Sequence, residues 1–146
     1  MSLEASLVLA AQIGANLRGG ETIELISDLG GGKTAFVRGL AAGLGSTDRV
    51  SSPSFTLTNQ YQAGDKIMHH FDFYRLNEPG ILRAELAEIL QDEHNIVAIE
   101  WAAVVADVLP VERLSLAIRT TGETSRELSF RYPESLSYLL SGLINE

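Results

Sequence analysis

One stretch constrains this chain more than any other: Ser27-Asp28-Leu29-Gly30-Gly31-Gly32-Lys33-Thr34. Before it, Thr22 to Ile26 reads as a short apolar strand. After it, Lys33 to Leu44 reads as a helix, with Phe36, Val37, Leu40, Ala41 and Leu44 on one face. A strand that enters a glycine turn and leaves it as a helix aims a row of backbone N–H groups, and the positive end of the helix dipole, at one point. The stretch resembles the Walker A pattern GxxxxGK[ST] at every defined position but the first, where Ser27 replaces glycine. In that pattern the N–H groups of residues Asp28 to Thr34 curl around phosphates, and glycines permit the close approach. Lys33 reaches the β- and γ-phosphates, and the Thr34 hydroxyl ligates Mg²⁺. A glycine turn that merely joins strand to helix is the plain alternative. The chain holds only Lys33 and Lys66 as lysines, so a lysine after three glycines is poorly explained by composition.

The remaining pattern places this loop in an α/β chain. Leu3, Leu7, Ala10, Ala11, Gly14 and Leu17 recur at helical spacing over residues 4–18, and Gly19-Gly20 stops that helix. Gly45 stands where a left-handed cap would end the second helix. Residues 46–54 read as a loop. Phe55 to Tyr61 and Ile67 to Tyr74 read as a hairpin turning at Ala63-Gly64-Asp65. A helix over 78–91 precedes a compact apolar strand, Asn95 to Glu100. Leu114 to Ile118 and Glu127 to Tyr132 read as a second hairpin. Pro133 then opens a last helix, with Leu136, Leu139, Leu140 and Leu143 facing the core. Short strands alternating with helices predict a mainly parallel central sheet with antiparallel edge strands and flanking helices. No repeat or linker divides residues 1–146, so one domain is expected.

Composition narrows the chemistry. A formal charge of −8 disfavours broad electrostatic binding of nucleic acid. With no cysteine, thiolate metal sites, disulfides and cysteine nucleophiles drop out. No apolar run reaches the roughly 20 residues of a membrane span, and no basic leader opens the chain, so a cytoplasmic location is expected.

Two acids stand out. Glu100 closes the apolar run Asn95-Ile96-Val97-Ala98-Ile99 as in a Walker B strand; it could hold Mg²⁺ through water or orient the attacking water. Asp72 lies in His70-Phe71-Asp72-Phe73-Tyr74-Arg75. On a strand His70, Asp72 and Tyr74 share one face, which would be a site wall or a solvated surface. His69, His70 and His94 show no metal-ligand spacing. Trp101, beside Glu100, reads as a core aromatic or as a reporter of the site.

Four motifs in this order resemble the TsaE (YjeE) family, the ATPase of bacterial tRNA threonylcarbamoyladenosine biosynthesis. SDLGGGKT is similar to the family's GDLGAGKT, and Ser52-Pro53-Ser54-Phe55-Thr56-Leu57 to SPTFTL. His70 to Leu76 is similar to HFDLYRL, and Glu100-Trp101 to the family's Glu-Trp pair. Ser27, Gly31, Ser54 and Ala35 depart from the pattern, and none removes a phosphate or metal ligand assigned above. The resemblance implies a single P-loop NTPase domain that binds ATP with Mg²⁺ and hydrolyses it slowly. It implies Thr34 and Glu100 as Mg²⁺ ligands, Asp72 as the residue that positions or activates water, and Arg126 as a nucleotide-binding arginine. SPSFTL would be a switch-like loop. The implied partners are the two subunits of the threonylcarbamoyl transferase, of the TsaB and TsaD families, with tRNA met through them and no membrane involved.

A small P-loop kinase is the competing reading. It would need an acceptor pocket and an arginine-bearing lid; no lid-like insertion is evident, and Arg75 and Arg83 are the nearest arginines. A module that binds nucleotide without catalysis is disfavoured by the joint presence of Lys33, Thr34, Asp72 and Glu100. No [NT]KxD motif for guanine occurs.

Overall fold

The structure is a computed structural model that describes residues 3–27, 33–46, 58–72, 80–100, 105–123 and 125–142. In chain order the elements are α1 (Leu3–Asn16), β1 (Thr22–Ser27), α2 (Lys33–Leu44), β2 (Thr58–Ala63), β3 (Lys66–Asp72), α3 (Gly80–Ile89), β4 (Asn95–Glu100), β5 (Leu114–Thr120) and β6 (Arg126–Arg131). A 3₁₀ helix, Glu134–Leu140, follows.

The strands form one six-stranded sheet in the order β2-β3-β4-β1-β5-β6. Its four inner strands are parallel, and the hairpin partners β2 and β6 run antiparallel at the edges. The expected mainly parallel sheet with antiparallel edges is therefore the observed one.

Strand alternation divides the core in two. Ile96 and Ala98 of β4 face α1 and α2, together with Ile23 and Leu25 of β1 and Met68 of β3. Val97 and Ile99 face the other way, with Phe71, Leu86 of α3, Val105 and Leu109. A strand buried on both faces reads as a continuous apolar run, which is why Asn95 to Glu100 was legible without alternation.

Two glycine devices fix α2. Its C-terminus closes with Gly45 at φ +105°, while the N–H of Gly45 reaches the Ala42 carbonyl (3.1 Å) and that of Ser46 the Ala41 carbonyl (3.0 Å). These are the two bonds of a Schellman cap. Gly14 of α1 and Gly43 of α2 let the helices cross backbone to backbone. A Cβ on Gly14 would collide with the Leu40 carbonyl, and one on Gly43 with the Ala11 carbonyl. The helix that carries Lys33 at its start is thereby seated on α1.

The C-terminus departs from expectation. The segment after Pro133 is 3₁₀ and not α-helical, and Pro133 is its N-cap, outside the first turn. Leu136 and Leu139, three residues apart, are both buried, which suits three residues per turn. Asn16 Nδ2 donates to the carbonyls of Leu139 and Ser141, both at 3.0 Å, holding the tight turn against α1. Leu140 is partly buried against the same core, and Leu143 lies outside the described residues.

Candidate functional site

In an open parallel sheet, ligands settle beyond the carboxyl ends of the strands, where successive connections leave for opposite faces. Here that point lies between β1 and β4. The chain leaving β1 enters α2, which packs on one face of the sheet. The chain leaving β4 passes Val105 and Leu109, which pack on the other face, before it enters β5. The crevice between these strand ends is the candidate site.

Two of the expected residues, Asp72 and Glu100, are neighbours at these strand ends. Glu100 ends β4 and pairs in register with Leu25 of β1 on one side and Asp72 of β3 on the other. Neighbouring strands lie about 4.8 Å apart, so positions 72 and 100 are immediate neighbours at the strand ends. Ser27, the last residue of β1, extends two positions past Leu25. Lys33 and Thr34 open α2. For Lys33, Thr34 and Asp72 the backbone alone is described. Asp28, Leu29, Gly30, Gly31 and Gly32 lie outside the described residues, as do the SPSFTL segment, residues 73–76 and Trp101.

Glu100 is buried, and its Oε2 lies 2.5 Å from Nε2 of His70, itself fully buried. His70 pairs with Ala98 across the β3–β4 ladder, so its ring leans one side-chain step along the same face to reach Glu100. This settles one choice left open by the sequence: at His70 that face of β3 is interior and not a solvated surface. The alternation of β3 placed His70 and Asp72 on one face. That His70 meets Glu100 needed the strand pairing, and sequence reasoning missed it. His69 points to the opposite face, where its Nε2 lies 3.0 Å from Asn95 Oδ1 and its ring stacks on Phe71.

Arg126 is at the same end of the sheet but apart from this pair. It opens β6 opposite Thr120, the last residue of β5. Three strand spacings separate β6 from β4, about 14 Å. Leu128 and Phe130, next along its face of β6, pack on the core beneath α1 and α2. Its Nη1 donates to the Ser125 carbonyl at 3.3 Å, while its buried Nε has no hydrogen-bond partner among the described residues.

A second concavity lies at the other end of the sheet. A cleft of about 760 Å³ opens beside the C-terminal end of α3 and the start of β4, lined by Glu85, Glu88, Asp92, His69 and His94 among others. The Asp92 carboxylate accepts from the backbone N–H of His94 at 2.9 Å, which holds its pKa below the usual range, and the ring of His94 beside it has its own pKa raised. Among the described residues no group of three acidic or histidine side chains could hold a metal ion, and no helix is long and apolar enough to cross a membrane.

Comparison with known proteins gives a consistent result. The family model "Threonylcarbamoyl adenosine biosynthesis protein TsaE" matches residues 1–128. A protein of Bacillus subtilis (strain 168) named "tRNA threonylcarbamoyladenosine biosynthesis protein TsaE" is 34% identical over 131 residues, covering 87% of this chain and 79% of that protein. One of the same name from Treponema pallidum (strain Nichols) is 33% identical, covering 80% of this chain and 86% of its own length. The crystal structure of Bacillus subtilis YdiB superposes with a TM-score of 0.78 at 31% identity, covering 95% of this chain and 86% of that one.

Proposed function

The chain belongs to the TsaE family, with a role in tRNA threonylcarbamoyladenosine biosynthesis, and from that premise we propose that it is a slow, Mg²⁺-dependent ATPase accessory to the threonylcarbamoyl transferase. The observation that carries this reading is the crevice itself. An α-helix starts at Lys33 just beyond β1, and the neighbouring parallel strand ends in a buried carboxylate, Glu100, in register with Asp72.

The residues present fit ATP with Mg²⁺. The start of α2 offers helix-dipole charge to phosphates, and Lys33 adds a cation. Thr34 and Glu100 supply the hard oxygen ligands that Mg²⁺ prefers. Arg126, at the same sheet end, would offer its guanidinium to the nucleotide. Bound Mg²⁺ would neutralise charge developing on the phosphate oxygens. Lys33 holds the β- and γ-phosphates in place. Asp72 orients a water and takes its proton as the oxygen attacks the γ-phosphorus and the bond to the bridging oxygen breaks. The products are ADP and inorganic phosphate.

The family role makes the TsaB- and TsaD-type transferase subunits the expected partners, in the cytoplasm, with tRNA contacted through them. Calorimetric titration of ATP with Mg²⁺ tests the core of the reading, with saturable binding expected in the wild type. Pull-down with the two transferase subunits, with and without ATP and Mg²⁺, tests the partnership. Failure to retain the two subunits under either condition would remove the partnership from the proposal.

A further inference from the structure

We infer that His70 is a positioning residue for Glu100: its Nε2–H donates to the carboxylate and fixes the direction in which Glu100 faces the crevice. The inference rests on the ATPase reading for its purpose and on geometry alone for its existence.

Nε2 and Oε2 are 2.5 Å apart, and both side chains are buried. Two lone pairs cannot approach that closely, so a proton lies between them. The other ring nitrogen decides where that proton belongs. Nδ1 of His70 is buried and has no hydrogen-bond partner among the described residues. A doubly protonated ring would bury an N–H without an acceptor next to a full positive charge, a costly arrangement. A neutral ring with its proton on Nε2 buries only a lone pair at Nδ1, the milder loss. In that tautomer His70 contributes a directed donor and no charge.

The surroundings lock this geometry. His70 sits between Met68, in the core beneath α1 and α2, and Asp72 on the same strand. Its backbone is tied on both sides, to Asn59 of β2 and Ala98 of β4. The fully buried ring has little room to turn, so the carboxylate it holds is pre-aimed. Groups that orient ligating side chains are commonly worth 10- to 100-fold in metal affinity or activity.

Two measurements test the inference. In nitrogen-15 spectra of histidine-labelled protein without nucleotide, the His70 signals, assigned by their loss in His70→Gln, should show a protonated Nε2 and a bare Nδ1. A protonated Nδ1 would overturn the assignment, whether or not the protein proves to be an ATPase. The second measurement is ATP binding by calorimetry, with Mg²⁺ and with EDTA, beside turnover. His70→Leu removes the donor and should weaken Mg²⁺-dependent binding or turnover about tenfold, leaving binding in EDTA unchanged. His70→Gln, which can place an N–H near the same point, should recover most of the loss. In a Glu100→Gln background His70→Leu should add less than about a twofold further loss, since the two act as a unit. A folded His70→Leu with wild-type Mg²⁺-dependent binding and turnover would defeat the positioning role. Absence of ATP binding in the wild type would instead defeat the ATPase reading, and the spectra would still decide the His70–Glu100 bond.

Discussion

Two glutamates are buried in this sheet to the same extent, each 4% exposed, at opposite ends of it. Glu21 lies just before β1. It accepts from the backbone N–H groups of Arg18 and Gly19, both at 2.7 Å, and from the Tyr138 hydroxyl at 2.6 Å. The Arg18 guanidinium lies over the Tyr138 ring, 3.9 Å from its centroid. Glu21 thus joins the turn after α1 to the C-terminal 3₁₀ helix. Glu100 lies at the end of β4, opposite Leu25 of β1, and is met by the side chain of His70 from the adjacent strand. Equal burial therefore carries different purposes. The donors around Glu21 come from segments whose own positions depend on the contact, so the carboxylate works as a fastener. The donor to Glu100 comes from a strand already fixed by its pairing on both sides, so the contact orients the carboxylate without being needed to assemble the sheet.

The largest expected effect separates the two directly. Glu100→Ala should lower Mg²⁺-dependent ATP turnover by about 100-fold, with a smaller change in ATP affinity. Steady-state phosphate release beside calorimetry checks this, and wild-type turnover in the variant would remove Glu100 from the chemistry. Release of phosphate with no acceptor added would also separate an ATPase from a kinase.

Glu21→Gln should do the reverse. Replacing a charged acceptor by an amide forfeits charge-assisted bonds worth roughly 1.5–3 kcal/mol. A thermal melt should show a fall of about 4–10 °C for a chain this size, with turnover retained at temperatures where the variant is folded. A stable Glu21→Gln protein would show that the fastener is dispensable.

Lys33→Ala sharpens the comparison at the crevice end without touching either carboxylate. It should weaken ATP binding by about 2 kcal/mol, the range of a charge-assisted contact to phosphate. Unchanged affinity by calorimetry would detach the start of α2 from the phosphates.

The smallest effect is a pH dependence at the other end. Burial, then the bond to the Glu21 carboxylate, raises the Tyr138 pKa well above its ordinary value of 10.0. The folded state therefore holds a proton that the unfolded state releases above about pH 10. This stabilisation is complete below that pH and is lost as pH rises toward the folded pKa. Tyr138→Phe should be slightly less stable near neutrality and should lose less stability than the wild type between about pH 10 and 11. Parallel melting curves for the two proteins would reveal any failure of that difference.

Much of the fold was written locally. α2 and β4 have the bounds that periodicity and the glycine and acid punctuation indicate, Lys33–Leu44 and Asn95–Glu100. The hairpin turn falls at Gly64, whose φ of +62° is one that glycine adopts freely. The C-terminal helix was misread because leucine spacing alone does not separate a short 3₁₀ segment from an α-helix. The bonds from Asn16 and the fastening of Tyr138 act from more than 100 residues away, at separations of 123 and 117.

The site divides in the same way. The chain alone marked Lys33, Thr34, Asp72 and Glu100, because a phosphate loop and an acid at a strand end are patterns within a few residues. It also placed His70 and Asp72 on one face, since side-chain direction along a strand follows a period of two. Only the tertiary structure set β3 beside β4 with Asp72 opposite Glu100, and so brought His70, 30 residues away in sequence, against the carboxylate. Strand order and register arise from long-range pairing and from burial of both sheet faces, and no window along the chain contains either partner's position relative to the other.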